Sequence, residues 1–301
     1  MAACFPAGSH LVSTFRALII GVALVAASSH GLLAQDGPSE DVAADIGGDG
    51  VLTNCIDPAF PPMEFYEDGG SDQPIGFDID FTNELASRLG VTAEFVPLEF
   101  TGLLPGLQSG RCDIVASGIY LTPERLETFG AQPYFDSSII LLTLAENDDI
   151  SSPEDLSGKT VAVQSGTNYL TMIEALDQEF RDAGKDGIDI QTYPKQTDAD
   201  QQLVVGRADA TITQDTEAAF REQAQPGVFR TAYTFPDTQT FAVFYQQDAT
   251  ALGEAINQAV EDMRADGTLA GIATTWNLPE GGAEFTREFG TEGTPVATPT
   301  S

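Results

Sequence analysis

The chain has 301 residues, and 46 Asp and Glu against 13 Lys and Arg give it a formal net charge of −33. Hydrophobic residues make up 42% of the sequence, which is typical of a folded protein of one large domain or two ordinary ones and excludes an acidic disordered chain. Phosphate-backbone binding depends on clusters of Lys and Arg, so we expect no nucleic-acid partner.

The N-terminal segment has the pattern of a secretory signal peptide. Residues 17–27 form an uncharged, mostly apolar run preceded by Arg16, and this run is shorter than the roughly 20 residues that a membrane-spanning helix needs. The small residue Ala34 follows, so we predict a signal peptide over 1–34, cleaved before Gln35, and a periplasmic or other extracytoplasmic location. A buried N-terminal helix and an uncleaved membrane anchor are the alternatives.

Both histidines, His10 and His30, lie within this predicted signal peptide. A mature chain without histidine has no Ser-His-Asp or Cys-His nucleophile and no imidazole ligand for zinc or iron. We therefore expect no metal, no cofactor and no catalytic residues. Cys55 and Cys112 remain after cleavage. Export permits a disulfide between them, but the sequence favours two separate buried thiols equally well.

The region between residues 51 and 280 alternates short apolar runs with helical patterns. Such alternation is typical of parallel sheets with helices on both faces. We expect an acidic flexible linker over 35–50 and a disordered tail over 281–301. The predicted elements are, in chain order, strand 51–56, helix 77–89 ended by Gly90, strand 91–96, a helix through 103–107, strands 113–119 and 160–163, helix 168–183, strand 188–193, a helix around 201–205, strand 208–213, and helices around 256–263 and 269–276.

Two blocks of this alternation, 51–140 and 150–235, predict two α/β lobes with a ligand crevice at the carboxyl ends of their strands. Extended segments near 139–144 and 240–245 are predicted to cross between the lobes, so that the last helices return to the first lobe. The predicted boundaries are 51–142 plus 240–280 for lobe 1 and 143–239 for lobe 2.

Six short motifs occur in a specific order across 51–278: DPAFPPMEF at 57–65, GFDID at 76–80, FTGLLPGLQSG at 100–110, SGIYLTPER at 117–125, VAVQSGT at 161–167 and GRADA at 206–210. With this ordered set the chain resembles the extracellular solute-binding proteins of polar amino acid ABC transporters, bacterial solute-binding protein family 3. The resemblance implies a type II periplasmic binding protein fold, with two doubly wound sheets joined by a two-segment hinge.

The resemblance also implies a function. The expected protein is a monomeric receptor, not an enzyme, that captures a small zwitterionic amino acid or an amino-acid-like solute by lobe closure. It would deliver this ligand to an ABC permease and its ATPase. The alternatives are a binder of ectoine- or betaine-type compatible solutes, a cyclohexadienyl dehydratase-like enzyme with Glu64 as its nearest acid, and a sensory binding module.

Opposite charges are predicted to grip the zwitterion. The guanidinium of Arg125 is a planar fork that accepts a carboxylate through two parallel hydrogen bonds, and the resemblance implies that it binds the ligand α-carboxylate. Asp215 directly follows a predicted strand and by resemblance receives the ligand ammonium, while Gln214 contacts the ligand side chain. The alternatives are a surface ion pair for Arg125 and a helix N-cap for Asp215.

Backbone N–H groups at a predicted helix start suit an anionic group, and this places Gly166, Thr167 and Asn168 in the candidate site, with Gln164 on the same wall. An ordinary strand–turn–helix connection is the alternative. On the first lobe, the motif at 117–125 adds Ser117 and Gly118 to the candidate ligand-binding residues.

Aromatic residues complete the candidate site. Phe60 and Phe100 match positions that sandwich the ligand side chain in relatives, although aromatic residues at strand ends usually pack in a core. Tyr120 stands where many amino-acid binders have Ser or Thr. With the two phenylalanines it would form an aromatic box for a delocalised or quaternary cation, similar to relatives that bind ectoine-type solutes. Alternatively its ring points away, or it supplies only its hydroxyl, and the sequence leaves these possibilities open.

Overall fold

The computed structural model describes residues 37–67 and 72–285. The predicted signal peptide over 1–34 and the predicted tail beyond 285 lie outside the described residues. Within the described part, the strands are β1 (Val51–Ile56), β2 (Ala59–Phe60), β3 (Glu64–Phe65), β4 (Thr92–Pro97), β5 (Ile114–Val115), β6 (Phe129–Leu144), β7 (Thr160–Gln164), β8 (Asp189–Tyr193), β9 (Ala210–Gln214) and β10 (Phe229–Gln246). The α-helices are α1 (Glu40–Asp45), α2 (Phe77–Leu89), α3 (Leu103–Gln108), α4 (Pro123–Leu126), α5 (Asn168–Asp182), α6 (Gln196–Val204), α7 (Asp215–Ala224), α8 (Thr250–Ala265) and α9 (Thr268–Thr275).

Most of these strands belong to one mixed sheet in the order β4-β1-β5-β10-β6-β9-β7-β8. Strands β4, β1 and β5 are parallel to one another, and so are β8, β7 and β9. The long strands β6 and β10 pair with each other in antiparallel register and connect the two parallel groups. This arrangement is the predicted pair of α/β lobes with a two-segment connection.

We use "first lobe" for the part around β1, β4 and β5 with helices α1–α4, α8 and α9. The "second lobe" is the part around β7–β9 with helices α5–α7. Strands β6 and β10 run through both predicted boundaries, at 142/143 and at 239/240, without a break. The exact boundary positions therefore remain predictions.

Local sequence explains why α2 lies where it does. Phe77, Phe81 and Leu85 recur at helical spacing and are all fully buried. Gly90 ends the helix in a left-handed conformation with φ of 74°, which a residue with a side chain adopts only at a cost. The buried face of α2 contributes to an aromatic core that continues through Tyr134 on β6.

The predicted flexible linker over 35–50 is wrong for residues 39–46, which form α1 and its two caps. Ser39 caps α1 by accepting a hydrogen bond from the backbone N–H of Val42 at 3.3 Å, and Val42 and Ile46 are buried in the core. The carboxylate of Asp45 accepts a hydrogen bond from the backbone N–H of Leu252 at 2.9 Å, which joins α1 to α8. Two apolar residues in a single turn of helix are too few to produce a detectable period.

The predicted disordered tail also begins too early. Residues 282–284 form a turn of 3₁₀-helix, in which Gly282 and Ala283 are buried. Gly282 lies so close to the ring of Phe135 on β6 that a side chain at this position has no room. Phe285 is buried and its ring contacts the guanidinium of Arg264, with 5.2 Å from Cζ to the ring centroid.

The two cysteines form a disulfide, which settles the alternative that the sequence leaves open. Cys55 on β1 is bonded to Cys112 just before β5, and their Cα atoms are 5.7 Å apart, within the usual range for disulfides. The bond lies in a first-lobe cluster that includes Leu103 and Leu107 of α3. Within the described residues, no helix combines the length and the apolar character that a membrane crossing requires.

Candidate functional site

A narrow cavity of about 10 Å³ lies between the two lobes. Its walls come from the ends of strands and the segments that follow them, because the carboxyl ends of the parallel strands of each lobe face the junction. The first lobe contributes six of its lining residues and the second lobe three. The lining residues are Asp57, Phe60, Glu64, Phe100, Ser117, Gly118, Gln164, Tyr169 and Gln214.

Half of the candidate ligand-binding residues line this cavity. They are Phe60, Phe100, Ser117, Gly118, Gln164 and Gln214. The other half lie outside the lining, namely Tyr120, Arg125, Gly166, Thr167, Asn168 and Asp215. Three lining residues are not among the candidates. Asp57 and Glu64 both lie in the motif at 57–65, and from the sequence Glu64 is a candidate only as a catalytic acid. Tyr169 directly follows the Gly-Thr-Asn segment at 166–168. The position within or next to a motif is the signal that would have found all three residues.

Two side-chain hydrogen bonds cross the cavity from the second lobe to the first. The Nε2 of Gln164 donates to Oδ2 of Asp57 at 2.7 Å. The Nε2 of Gln214 donates to the carbonyl oxygen of Gly118 at 3.1 Å. Gln164 ends β7 and Gln214 ends β9, so both amides project from strand ends of the second lobe. The lobes are therefore in contact around the cavity, in a closed arrangement.

Three buried carboxyl groups of the first lobe, which we call the cavity acids, lie in or behind the cavity wall: Asp57, Glu64 and Asp78. The Ser117 hydroxyl donates to Oε1 of Glu64 at 2.6 Å. Asp78 accepts from the backbone N–H of Gly118 and from the hydroxyl of Tyr134, both at 2.7 Å. Within the described residues, none of the ion pairs includes a cavity acid, and no cluster of His, Cys, Asp or Glu is arranged to hold a metal ion.

Burial raises the pKa of each cavity acid. The pKa of Asp57 is about 6, because burial outweighs the hydrogen bond from Gln164 and the attraction of Lys195. The pKa of Asp78 is also about 6, raised by burial against the hydrogen bonds that it receives. Burial and then repulsion from Asp78 raise the pKa of Glu64 well above its usual range. The two carboxyl groups titrate as an interacting pair, since the charge of Asp78 disfavours ionisation of Glu64.

Arg125 lies on the short helix α4, outside the cavity lining. Thr122 caps this helix by accepting a hydrogen bond from the backbone N–H of Arg125 at 3.3 Å, and Pro123 occupies its first position. The Arg125 Nη1 donates to the carbonyl oxygen of Tyr120 at 2.5 Å. Burial lowers the pKa of Arg125, and none of the ion pairs found in 37–67 and 72–285 involves it. Its charge also acts on Tyr169, which lines the cavity.

Asp215 is the first residue of α7, and the N-cap is Gln214, so the alternative that Asp215 caps this helix is wrong. Its Oδ1 accepts a hydrogen bond from the Ser137 hydroxyl at 2.6 Å. Burial raises the pKa of Asp215, and hydrogen bonds from Ser137 and Ser138 oppose this rise. A carboxylate in the first turn of a helix is also favoured by the helix dipole.

The segment from Gly166 to Asn168 begins α5 and contacts the first lobe. Thr167 is the N-cap of α5, and its hydroxyl donates to the carbonyl oxygen of Gln164 at 2.8 Å. Gly166 has φ of 79° and approaches the first lobe so closely that a Cβ would lie 2.9 Å from Cγ2 of Thr101. Glycine is therefore required here by the backbone conformation and by the contact between the lobes.

The three rings of the hypothetical aromatic box do not surround one cavity. Phe60 and Phe100 line the cavity, whereas Tyr120 is buried with its ring stacked on Phe241 at 4.8 Å between centroids. The hydroxyl of Tyr120 donates to the Ser137 hydroxyl oxygen at 3.3 Å. The ring of Phe60 lies close to Gly118, and a Cβ at this position would lie 2.8 Å from the ring. The absence of a side chain at Gly118 therefore makes room for Phe60.

Comparison with known proteins identifies the family. A model of the bacterial extracellular solute-binding proteins, family 3, matches residues 52–279. The chain belongs to this family. The L-cystine-binding protein TcyJ of Escherichia coli is 30% identical over 260 residues, which cover 86% of this chain and 92% of the relative.

Solved structures of similar amino acid-binding proteins have the same fold. An ancestral arginine-binding protein bound to arginine is 33% identical with a TM-score of 0.68, over 75% of this chain and 98% of that one. The ancestral amino acid-binding protein AncCDT-1, a precursor of cyclohexadienyl dehydratase, is 30% identical with a TM-score of 0.69, over 77% of this chain and 98% of that one.

These comparisons confirm the predicted family, the two-lobed periplasmic binding protein fold and a function in solute binding for amino acid ABC transport. They favour this function over the compatible-solute and sensory alternatives. Family 3 is extracellular and consists mostly of binding proteins without catalytic activity.

Proposed function

We propose that this protein is a monomeric extracytoplasmic receptor for an L-α-amino acid with a basic or neutral polar side chain. It closes on this ligand and delivers it to an ABC permease driven by a cytosolic ATPase. The observation that carries the proposal is Arg125. Its side chain is half-buried, burial lowers its pKa, and no ion pair of the described residues compensates its charge. A ligand carboxylate would supply the compensating negative charge and accept two parallel hydrogen bonds from the guanidinium.

Asp215 of the second lobe provides the complementary group for the ligand ammonium. Its carboxylate receives hydrogen bonds from hydroxyl and amide groups, and burial raises its pKa. A ligand cation would stabilise the ionised form of this carboxylate. Because Arg125 and Asp215 come from different lobes, both ends of a zwitterion are held only when the lobes are closed, so the ligand favours closure.

The side-chain preference of the proposed ligand follows from the cavity acids. Asp57 and Gln164 meet across the cavity and together offer a carboxylate and an amide. A basic or amide-bearing side chain matches these groups, whereas an acidic one would be repelled by Asp57 and by the charge of the whole chain. Arginine in the ancestral structure and L-cystine in the E. coli relative are both amino acids without a net negative side chain, which supports this class.

Glu64 raises a second candidate function, that of a dehydratase. Its raised pKa and its place in the cavity wall suit a general acid, and AncCDT-1 is described as a precursor of a dehydratase. However, Ser117 donates to Oε1 of Glu64, and Asp78 is held by Gly118 and Tyr134. We therefore propose binding without catalysis. Incubation with arogenate or prephenate tests this choice, and formation of an aromatic product would contradict it.

The binding proposal is tested by a ligand screen. The secreted chain is unfolded and refolded to remove carried-over ligand, and its thermal unfolding is measured with each L-amino acid, cystine, ectoine, betaine and arogenate. A ligand at a hundred times its Kd stabilises the folded state by about 2.7 kcal/mol, which gives a clear shift in Tm. We expect hits among basic and neutral polar amino acids. A response confined to ectoine or betaine would overturn the amino-acid assignment.

Two matched variants test the role of Arg125. Arg125→Met is expected to weaken every amino-acid ligand by about a hundredfold or more, because two hydrogen bonds to a charged group are lost. Arg207→Met removes an equal charge from an exposed position of the second lobe and serves as the control. Equal Kd values for Arg125→Met and the unmodified protein would refute the proposed carboxylate site.

A further inference from the structure

Three aromatic rings meet at the junction of the lobes without lining the ligand cavity. The ring of Phe65 lies 5.4 Å from that of Phe220 and 5.9 Å from that of Trp276, measured between centroids. The planes of Phe65 and Trp276 are at 84°, the edge-to-face geometry that aromatic pairs prefer. None of the three rings belongs to the cavity lining.

This cluster joins the two lobes. Phe65 ends β3, and Trp276 directly follows α9, so both belong to the first lobe. Phe220 lies on α7 of the second lobe. The indole N–H of Trp276 donates to Oδ2 of Asp80 on α2 at 2.8 Å, which fixes the tryptophan within the first lobe. The contact between Phe65 and Phe220 therefore exists only while the lobes are closed.

We propose that Phe65 and Phe220 form an aromatic latch, seated on Trp276, that sets the affinity for every ligand by stabilising the closed arrangement. The proposal rests on the proposed function, since the latch acts on the same closure that the ligand drives. It adds residues outside the ligand site that determine affinity without determining specificity.

The physical consequence is a uniform change in affinity. When only a fraction of the molecules is closed, the apparent Kd equals the intrinsic Kd divided by that fraction. An aromatic pair is worth enough to change the closed population by about two- to tenfold. Loss of the latch therefore multiplies the Kd of every ligand by the same factor, whereas a change in the ligand cavity alters the ratio between ligands.

The test uses Phe220→Ala and Phe220→Leu, since Leu keeps apolar area and loses the ring. Two controls are matched to them. Tyr66→Ala removes a ring from the residue next to Phe65 in the chain, and the Tyr66 side chain is 38% exposed. Tyr233→Ala breaks an aromatic pair with Phe235 that lies within β10 and joins no second-lobe residue to β3. Kd values are measured by titration calorimetry with L-arginine, L-lysine, L-glutamine and L-cystine.

The expected result is a two- to tenfold rise in Kd for Phe220→Ala, equal for all ligands that bind, a smaller rise for Phe220→Leu, and no change for either control. Trp276 is the only tryptophan, so its fluorescence reports the cluster directly. The change in fluorescence on ligand addition is expected to fall in Phe220→Ala even at saturating ligand. Unchanged Kd values, or a rise for one ligand only, would overturn the latch.

Failure of the proposed function is distinguished by a measurement without ligand. If none of the four amino acids binds the unmodified protein, the proposed function fails, and the latch is then tested by small-angle X-ray scattering of the ligand-free chains. The latch predicts a larger radius of gyration for Phe220→Ala than for the unmodified protein and for Tyr233→Ala. Equal radii in all three proteins would overturn it.

Discussion

This protein has two sets of buried carboxyl groups, one in each lobe, and they differ in how their charge is compensated. The cavity acids of the first lobe, Asp57, Glu64 and Asp78, take part in none of the ion pairs of the described residues. In the second lobe, Asp200 on α6 and Glu217 on α7 both bind the guanidinium of Arg221, which bonds Glu217 at 2.7 Å. We call this second group the helix acids.

The difference separates a structural group from the group that we propose to select the ligand. The helix acids share a permanent cation. Burial lowers the pKa of Arg221, but the charges of Glu217 and Asp200 raise it by more. Thr213 and Gln196 donate further hydrogen bonds to Glu217 and Asp200. Burial raises the pKa of Asp200 as well, and the charge of Arg221 opposes this rise. Burial raises the pKa of all three cavity acids without a paired cation, and Asp57 and Glu64 line the cavity. A buried acid in a cavity wall that is not paired with a cation of the protein suits a ligand cation.

Removal of Arg221 tests the structural half of this comparison and has the largest expected effect. Arg221→Met leaves Asp200 and Glu217 buried without a counter-charge, so the free energy of unfolding is expected to fall by about 3–5 kcal/mol. Urea unfolding at pH 7 measures this loss. Arg181→Met breaks the exposed pair with Asp177 and is expected to cost less than about 1 kcal/mol. A similar small cost for both variants would mean that the helix acids are not held by Arg221.

Asp57→Asn tests the functional half. With a pKa of about 6 in the free protein, Asp57 is mostly protonated at pH 5 and mostly ionised at pH 7. Affinity for L-arginine is therefore expected to rise roughly tenfold between these pH values, and Asn at this position abolishes the rise. At pH 7.5 the variant is expected to bind L-arginine about 10–100 times more weakly.

Calorimetric titration at several pH values measures both effects of Asp57→Asn. Glu99→Gln is the matched control, because it removes an exposed carboxylate that acts on Asp57 from outside the cavity lining. The control is expected to retain the pH dependence. A pH dependence that persists in Asp57→Asn would assign it to another group and remove Asp57 from the ligand site.

Glu64→Gln sharpens the comparison through stability. The folded-state pKa of Glu64 lies well above its ordinary value, so its contribution to stability is complete at acidic pH and is lost as the pH rises through the folded-state pKa. Gln resembles the protonated form and does not ionise. The variant is therefore expected to gain stability relative to the unmodified protein as the pH rises, with a slope of at most about 1.4 kcal/mol per pH unit.

Urea unfolding from pH 5 to pH 9 measures the effect of Glu64→Gln against Glu127→Gln, a change at an exposed glutamate. Parallel curves for the two variants would show that Glu64 is not held in its protonated form.

The sequence predicts the elements of this fold well, because each has a local signal. Helix α2 follows from three apolar residues at helical spacing and from Gly90 at its end. The long strands are predicted less completely. The segments near 139–144 and 240–245 are only parts of β6 and β10, since these strands are defined by pairing between residues about 100 positions apart in the chain.

The candidate site is predicted in part for the same reason. Gln164 and Gln214 directly follow predicted strands, so their position at the cavity follows from local pattern and topology. The placement of Tyr120 depends on Phe241, a residue far along the chain whose packing has no local signal. The charge state of Glu64 likewise depends on burial next to Asp78, which only the folded structure brings about.

Asp215 is an intermediate case between the two groups of acids, and Tyr120→Phe tests it with the smallest expected effect. Asp215 receives a hydrogen bond from Ser137, to which the Tyr120 hydroxyl donates in turn, so hydroxyl groups take the place of a cation. Loss of the Tyr120 hydroxyl removes one long hydrogen bond at 3.3 Å and is expected to cost about 0.5–1.5 kcal/mol of stability. Since the ring stacks on Phe241 outside the cavity, Kd values for amino acids are expected to change less than about threefold. Thermal unfolding and calorimetry measure the two quantities. A large loss of affinity with unchanged stability would place Tyr120 in the ligand site and restore the aromatic box.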